Sequence, residues 1–332
     1  MAHEHSHQET RIVTGETVER LVDMETAISA VRSAFVDIGS DDAVMPPKTY
    51  VDVHAENGDF RAMPAAVDGS AGVKWVNVHP DNEERFGLPT VMGLAIVSDP
   101  ASGYPLGILD GTTLTRIRTG AAAAVATDAL APTDVSSLGI LGAGEQARTQ
   151  LDAILQVRDL DEVVLSDLDD SAIERFIDAE SNRNLSIRPG SPEDVAACDI
   201  VSTTTPSREP ILRRDWIEAG THINAIGADA EGKQELETEL LTDAAVVIDD
   251  WEQCAHSGEI NVPVSNGALT EVDLLGTLGA VLTDGTETAA DSITVFDSTG
   301  LAIQDIAVGS AVFEAAKAED AGERIDIIGA QQ

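Results

Sequence analysis

The stretch that most constrains this chain is Val135 to Ala147, VSSLGILGAGEQA, where a short apolar run ends in Gly142-Ala143-Gly144-Glu145-Gln146-Ala147. This G-x-G-x-x-A order is that of a strand-to-helix turn that binds a dinucleotide. Gly142 permits a tight turn out of the strand, Gly144 a close backbone approach to a pyrophosphate, and Ala147 close packing of helix on strand. The helix expected from Glu145 to about Leu155 would aim its free N–H groups and positive dipole end at the phosphates. A second short strand, Glu162-Val163-Val164-Leu165-Ser166, then ends in Asp167, about twenty residues beyond Gly144. A carboxylate there accepts hydrogen bonds from ribose hydroxyls and repels a 2′-phosphate, which favours NAD over NADP. Small residues also fill such turns for packing alone, so an α/β domain without a cofactor is the competing reading.

The alternation of strands and helices continues beyond Asp167 through Asp199 to Thr204, His222 to Ile226, Ala245 to Asp249 and Ile293 to Asp297. Each run is short, apolar and bounded by turn residues, so residues 128–300 read as one doubly wound α/β domain. The preceding residues read differently. A strand at Arg11 to Val13 leads to a helix capped by Asp23, with Ile28, Val31 and Phe35 on one face. Extended pieces at Thr49 to Val53, Phe60 to Met63, Gly72 to Asn77 and Thr90 to Ser98 then suggest an antiparallel sheet, and an alanine-rich helix follows from about Thr112 to Ala129. A last helix from about Leu301 to Ala318 and a strand from Arg324 to Ile328 are expected to return to this first part.

With 59 acidic against 20 basic residues, the net charge is −39, spread along the chain rather than gathered in a tail. Apolar residues at 43% argue against disorder, and the negative field opposes binding to nucleic acid. So acidic a globular surface suits high salt, where repulsion is screened over roughly 3 Å at 1 M, and points to the cytosol of an extreme halophile. The four lysines, Lys48, Lys74, Lys233 and Lys317, are then enriched for places that need an ammonium. No apolar run is long enough to span a bilayer, and Met1 to Thr10 is too polar for a secretory signal, so a cytoplasmic protein with no membrane partner is expected. Cys198 and Cys254 lack neighbours at metal-ligand spacing, so no metal is expected, and His3, His5 and His7 read as a disordered end.

Three clusters could carry chemistry. In Gly58 to Pro64 and Gly72 to Asn77, Arg61 and Lys74 fall near the middle of expected strands, where charge is costly unless it meets solvent or a ligand. The two cations together would grip a carboxylate, the arginine in bidentate fashion, although half of an antiparallel sheet's residues can simply face water. Thr115 to Gly120, taken as the start of the alanine-rich helix, offers Arg118 and Thr119 for a phosphate or carboxylate. The third is Gly220 to Asp229 with Gly232 to Leu236. Strand His222 to Ile226 should end at the carboxyl edge of the sheet, where ligands bind, placing Ala225, Ile226, Gly227 and Asp229 beside the nicotinamide, with Asp229 as general acid or base. His222, at the far end of that strand, is read as structural.

Taken together, GDFRAMPA (58–65), GVKWVNVHPDN (72–82), LPTV (88–91), RTGAAAAVAT (118–127), LGAGEQA (141–147), STTTP (202–206), GTHINAIGADAEGKQELE (220–237), SGEINV (257–262) and FDSTGLAIQD (296–305) resemble the ornithine cyclodeaminase/mu-crystallin family over nearly the whole length. Within it the chain resembles the archaeal alanine dehydrogenases. The resemblance implies a Rossmann-type domain (128–300) inserted into an α+β substrate-binding and dimerisation domain (1–127 plus 301–332), and a homodimer joined through the sheets of the latter. It implies Lys74 as carboxylate ligand and catalytic lysine, Asp229 as acid/base, and Arg118 and Thr90 as holding cofactor or substrate. Thr205, Lys233 and Ser298 match family contacts to NAD, beside Gly142, Ala143, Gly144, Glu145, Gln146 and Asp167. Lys48 stands where many members use arginine on the substrate. Cyclodeaminases carry a glutamate where this chain has Arg61, which would repel the distal amine of ornithine and take a carboxylate instead. Ketimine reductases like mu-crystallin often use NADPH, which Asp167 disfavours. The expected reaction is NAD-dependent, reversible oxidative deamination of L-alanine to pyruvate and ammonium. Ornithine cyclodeamination and non-catalytic ligand binding are the alternatives.

Overall fold

The computed structural model describes residues 9–286, 288–289 and 291–329, so the N-terminal histidines lie outside the described residues. The strands run β1 (Thr10–Val13), β2 (Thr49–Val53), β3 (Gly58–Val67), β4 (Ser70–Val78), β5 (Val91–Ser98) and β6 (Pro105–Asp110). Then come β7 (Ser137–Leu141), β8 (Glu162–Ser166), β9 (Ser186–Pro189), β10 (Ile200–Thr203), β11 (His222–Ala225), β12 (Ala245–Ile248), β13 (Gly276–Thr277), β14 (Thr294–Asp297) and β15 (Glu323–Ile325). The chain divides into two compact units, Met1–Arg118 with Ala302–Gln332, and Thr119–Leu301.

In the first unit, β1–β6 and β15 form one sheet in the order β15-β1-β6-β5-β4-β3-β2. It is antiparallel from β2 to β6, as the turn-rich sequence suggests, but β1 runs parallel to β6, a strand that the sequence did not announce. The final strand is shorter than the expected Arg324 to Ile328. It pairs Ile325 with Thr10, the first residue of β1, so there is no β1 backbone left for residues beyond 325 to pair with. Along β3 the buried residues alternate as Arg61, Met63, Ala65 and Val67, the period of two that a sheet covered on one side requires. Helix Ala302–Ala318 covers that side, packing on β3, β4 and β5, with helix Met24–Gly39 on its back. Enclosed in this way, it is small and apolar nearly all round, as a buried helix must be. The Asp23 carboxylate caps helix Met24–Gly39 by accepting the Thr26 N–H at 2.8 Å.

The second unit holds an eight-stranded parallel sheet in the order β13-β12-β14-β11-β10-β7-β8-β9. Its central strands include fully buried runs such as IVST and HINA, the pattern of strands covered on both faces. Strand order reverses between β7 and β10, which makes the carboxyl edge beside them the switch point at which open α/β sheets bind ligands.

Candidate active site

The parallel sheet presents its glycine turn at that switch point. Gly142 follows β7 with φ +94°, and a Cβ there would lie 2.8 Å from Thr204 Oγ1, so only glycine fits both the dihedral and the space. Gly144 is the N-cap of helix Glu145–Ile154 with no side-chain cap, and a Cβ on it would meet nothing within 4 Å. The first N–H groups of that helix therefore border open space, into which the backbone presents no side chain at Gly144. The Asp167 carboxylate accepts the Ala143 N–H at 2.7 Å and the Asp169 N–H at 2.8 Å, fixing it at the end of β8 with lone pairs left for hydroxyl donors. These features fit a dinucleotide: a pyrophosphate against Gly142 to Gln146 and a ribose against Asp167.

Further along the same edge, adjacent strands β11 and β14 end together, and the Ser298 N–H donates to the Ala225 carbonyl at 3.2 Å. Ser298 Oγ donates to Asp249 at 3.0 Å. Thr205 is held by Glu235, which accepts its N–H at 2.8 Å and its hydroxyl at 2.6 Å. The other oxygen of Glu235 accepts the Thr203 hydroxyl at 2.6 Å and the Gly227 N–H at 3.0 Å. One buried carboxylate thus ties the loops after β10 and β11. Gly227 must be glycine here, because a Cβ would lie 2.5 Å from the Thr205 backbone carbonyl oxygen as well as 2.3 Å from Glu235 Oε2. Beyond Ile226 and Gly227, Asp229 Oδ1 sits 2.5 Å from Lys233 Nζ, an i,i+4 ion pair at the partly exposed lip of the edge. Ser298, Thr205, Ala225 to Gly227 and the glycine turn are therefore gathered on one edge, and Lys233 is there as the partner of Asp229.

Behind this edge lies a chain of buried acids that the sequence did not reveal. Glu259 accepts the backbone N–H groups of Glu235 at 2.8 Å and Leu236 at 2.7 Å, and Asp297 accepts those of Glu259 at 2.9 Å and Ile260 at 3.0 Å. Burial pushes the Asp297 carboxyl up to about 7, and it also raises Glu235 and Glu259. His222 is fully buried, its ring nitrogens 2.9 Å from Thr294 Oγ1 and 3.3 Å from Asn224 Oδ1, and burial drives it down to about 3. It is neutral at physiological pH.

The first unit carries a separate charged cluster on the helix-covered face of its sheet. Lys74 stands opposite Met63 and Ala95, and Arg61 opposite Val76, so the two cations are diagonal neighbours on that face. Lys74 is 1% exposed and donates from Nζ to both oxygens of Asp305, at 2.9 and 3.1 Å. Arg118 donates to the same carboxylate at 3.3 Å and to Gln304 Oε1 at 3.2 Å. Burial pushes Lys74 down to about 7, against the pull of Asp305 and with the repulsion of Arg118 and Lys48. Arg61 makes a bidentate pair with Asp59, at 2.7 and 3.2 Å, and lies 5.4 Å over the Tyr50 ring. Thr90, just before β5, accepts the His79 N–H through its carbonyl at 2.8 Å. A cavity of about 560 Å³ opens among Trp75, Asn77, Met92, Leu94 and Asp110, residues that include none of this cluster.

One expectation about Arg118 and Thr119 is corrected. Helix Gly111–Leu130 begins within a residue of the expected Thr112, so Arg118 and Thr119, expected near its N-terminus, lie in its interior, where backbone N–H groups are already bonded within the helix. Arg118 acts through its guanidinium and not through a helix terminus. The Thr119 carbonyl accepts Gln150 Nε2 at 3.4 Å. Asp305, which nothing in the local sequence marked as a partner of Lys74, is the residue that sequence reasoning missed. Its one signal was a carboxylate in the first turn of a helix that runs on through the apolar stretch Ile306 to Val308.

Residues 8–320 match the model of the ornithine cyclodeaminase/mu-crystallin family. The chain belongs to this family. Among curated members it is 47% identical over 320 residues to alanine dehydrogenase of Archaeoglobus fulgidus, covering 96% of this chain and 98% of that one. Among solved members, an archaeal alanine dehydrogenase dimer with bound NAD superposes with a TM-score of 0.94 at 45% identity, covering 96% of this chain and all of the other. The Δ1-pyrroline-2-carboxylate reductase of Thermococcus litoralis, in complex with NADH and L-proline, superposes at 0.91 with 30% identity, covering 95% and 100%. Among the described residues of this family member, no group of three or more His, Cys, Asp or Glu side chains could hold a metal ion, and no helix is long and apolar enough to cross a membrane.

Proposed function

We propose that the chain catalyses the reversible, NAD-dependent oxidative deamination of L-alanine to pyruvate and ammonium. The observation that carries the reading is the 47% identity, over nearly the whole of both chains, to an alanine dehydrogenase. The buried cations Lys74, Arg118 and Arg61, with Lys48 near them, support it, since they suit a substrate whose recognised group is a carboxylate. In this reading residues 1–127 plus 301–332 are the substrate-binding and dimerisation domain, and 128–300 the NAD-binding domain. Gly142 to Gln146 would hold the pyrophosphate, Asp167 the adenosine ribose, and Thr205, Ala225, Ile226, Gly227, Lys233 and Ser298 the nicotinamide half, with Thr90, Arg118 and Thr119 as further contacts. Bound NAD supplies the hydride acceptor.

The protein's own part is orientation and proton transfer. Lys74 and Arg61, with Lys48, take the carboxylate, and an amino acid fixed at that end presents its Cα–H in a single direction, the alignment that hydride transfer demands. Asp229 takes a proton from the amine or from the attacking water as the imine forms and is hydrolysed. Arg61 in place of the glutamate of cyclodeaminases disfavours ornithine, whose distal amine would meet a guanidinium. The working form is proposed to be a cytoplasmic homodimer in a salt-rich cell. Val51, Trp75 and Leu94 are exposed apolar residues on the sheet face opposite Lys74, and Phe60 stacks on Trp75 at 5.4 Å, a surface suited to a second copy.

The test is to supply NAD with L-alanine or L-ornithine in several molar KCl at alkaline pH and to follow NADH and ammonia together. NADH accumulating with alanine is expected. Ammonia from ornithine without lasting NADH would replace the proposal with a cyclodeaminase.

A further inference from the structure

Asp305 sits at the centre of the charged cluster in the first unit. It is fully buried on helix Ala302–Ala318, and its two oxygens take three N–H donors from two cations. An ammonium has three donors, and Asp305 engages two of those on Lys74. The charged groups acting on Lys74 are Asp305 from that helix, Arg118 from helix Gly111–Leu130 and Lys48 from the segment before β2; Gln304 accepts from Arg118, and the Arg61–Asp59 pair of β3 is the diagonal neighbour on the sheet. Two cations, Lys74 and Arg118, thus share one carboxylate, and the charge of Lys48 also acts on Lys74, so the pair on Asp305 keeps an excess of positive charge to meet an anion.

We infer that Asp305 is the positioning residue of this cluster, holding the Lys74 ammonium and the Arg118 guanidinium at fixed spacing so that a substrate carboxylate meets both. The role assigned to the substrate rests on the reaction proposed above; the pairing of charges does not. Asp305 keeps Lys74 protonated against the burial that pushes it down to about 7, and without this carboxylate the ammonium would be lost at lower pH. Arg118 acts in the opposite sense, so removing its charge should retain the proton on Lys74 to higher pH.

With four lysines in the chain, selective 13C labelling of lysine gives a spectrum simple enough to follow by NMR, and the Lys74 signal is the one absent from Lys74→Met. In the full-length protein its midpoint should lie near 7, fall by about one to three pH units in Asp305→Asn, and rise in Arg118→Gln. In parallel, KM for pyruvate at pH 8 should rise about tenfold or more in Asp305→Asn, a factor of ten per unit of midpoint, while NADH affinity is unchanged. A midpoint unmoved in Asp305→Asn, or one moving down in Arg118→Gln, would overturn the inference. If Asp305→Asn does not fold, the sign of the Arg118→Gln shift decides. A parent enzyme that turns over neither alanine nor pyruvate would sink the proposed reaction and leave the NMR midpoints to judge Asp305.

Discussion

At the scale of single residues, the two glycines of the dinucleotide turn do different work, and substitution separates them. Gly142→Ala faces both a left-handed φ and a contact with Thr204, at a cost of about 1–2 kcal/mol for the dihedral alone. Its Tm should fall by a few degrees, and NADH affinity with it. Gly144→Ala puts its methyl group into open space, so Tm should hold while NADH affinity, read by fluorescence titration, drops about tenfold or more. Equal NADH affinity in Gly144→Ala and the parent would remove the pyrophosphate from its proposed place beside Gly144. Asp229→Asn bears on the proposed chemistry: turnover should disappear while NADH binding is kept, and undiminished turnover would take Asp229 out of the mechanism.

Among the elements, the segments that follow β10, β11 and β12 are linked to the end of β14 by three acids: Glu235 accepts the N–H groups of Thr205 and Gly227, Glu259 those of Glu235 and Leu236, and Asp297 those of Glu259 and Ile260. Because burial raises Asp297 to about 7 from an ordinary 3.8, its contribution to stability is full below about 4 and is lost as pH rises through 7. Denaturant unfolding from pH 4 to 8 should therefore show a steeper decline in the parent than in Asp297→Asn, and parallel curves would mean that the carboxyl is ionised throughout. The elements themselves were largely legible, since short apolar runs bounded by turn residues marked β7, β8, β10, β11, β12 and β14 to within a residue or so at each end. Less legible was β6, where Pro105 and Gly107 interrupt the apolar pattern. The site was legible where chemistry is local, as in the glycine turn and Asp167. It was hidden where partners are remote in sequence: nothing near Lys74 announces Asp305, and nothing in HINA or FDST shows that the acids around them form a linked series.

For the whole molecule, charge is the dominant quantity. A net −39 on a folded chain is self-repulsive, and at 1 M salt the screening length shrinks to about 3 Å. Thermal unfolding should therefore show Tm climbing from low salt to several molar KCl, with light scattering giving the mass of two chains at the high end; a flat profile would refute adaptation to salt, and a single-chain mass would refute the dimer. The first unit is also built from both ends of the chain, and this has a bearing on how the protein is made. Lys74 precedes Asp305 by 231 residues, which at about 5–20 residues per second takes a ribosome on the order of 10–50 s to translate. During that interval β1 to β6 have neither the helix that covers their apolar face nor the anion that steadies Lys74. The parallel sheet of the second unit, contained within one continuous stretch, can close first. The Lys74–Asp305 pair is thus completed only after the second unit has been made, and a nascent chain released before Ala302 leaves the ribosome with an uncovered sheet, the kind of surface that chaperones and proteases read as unfinished.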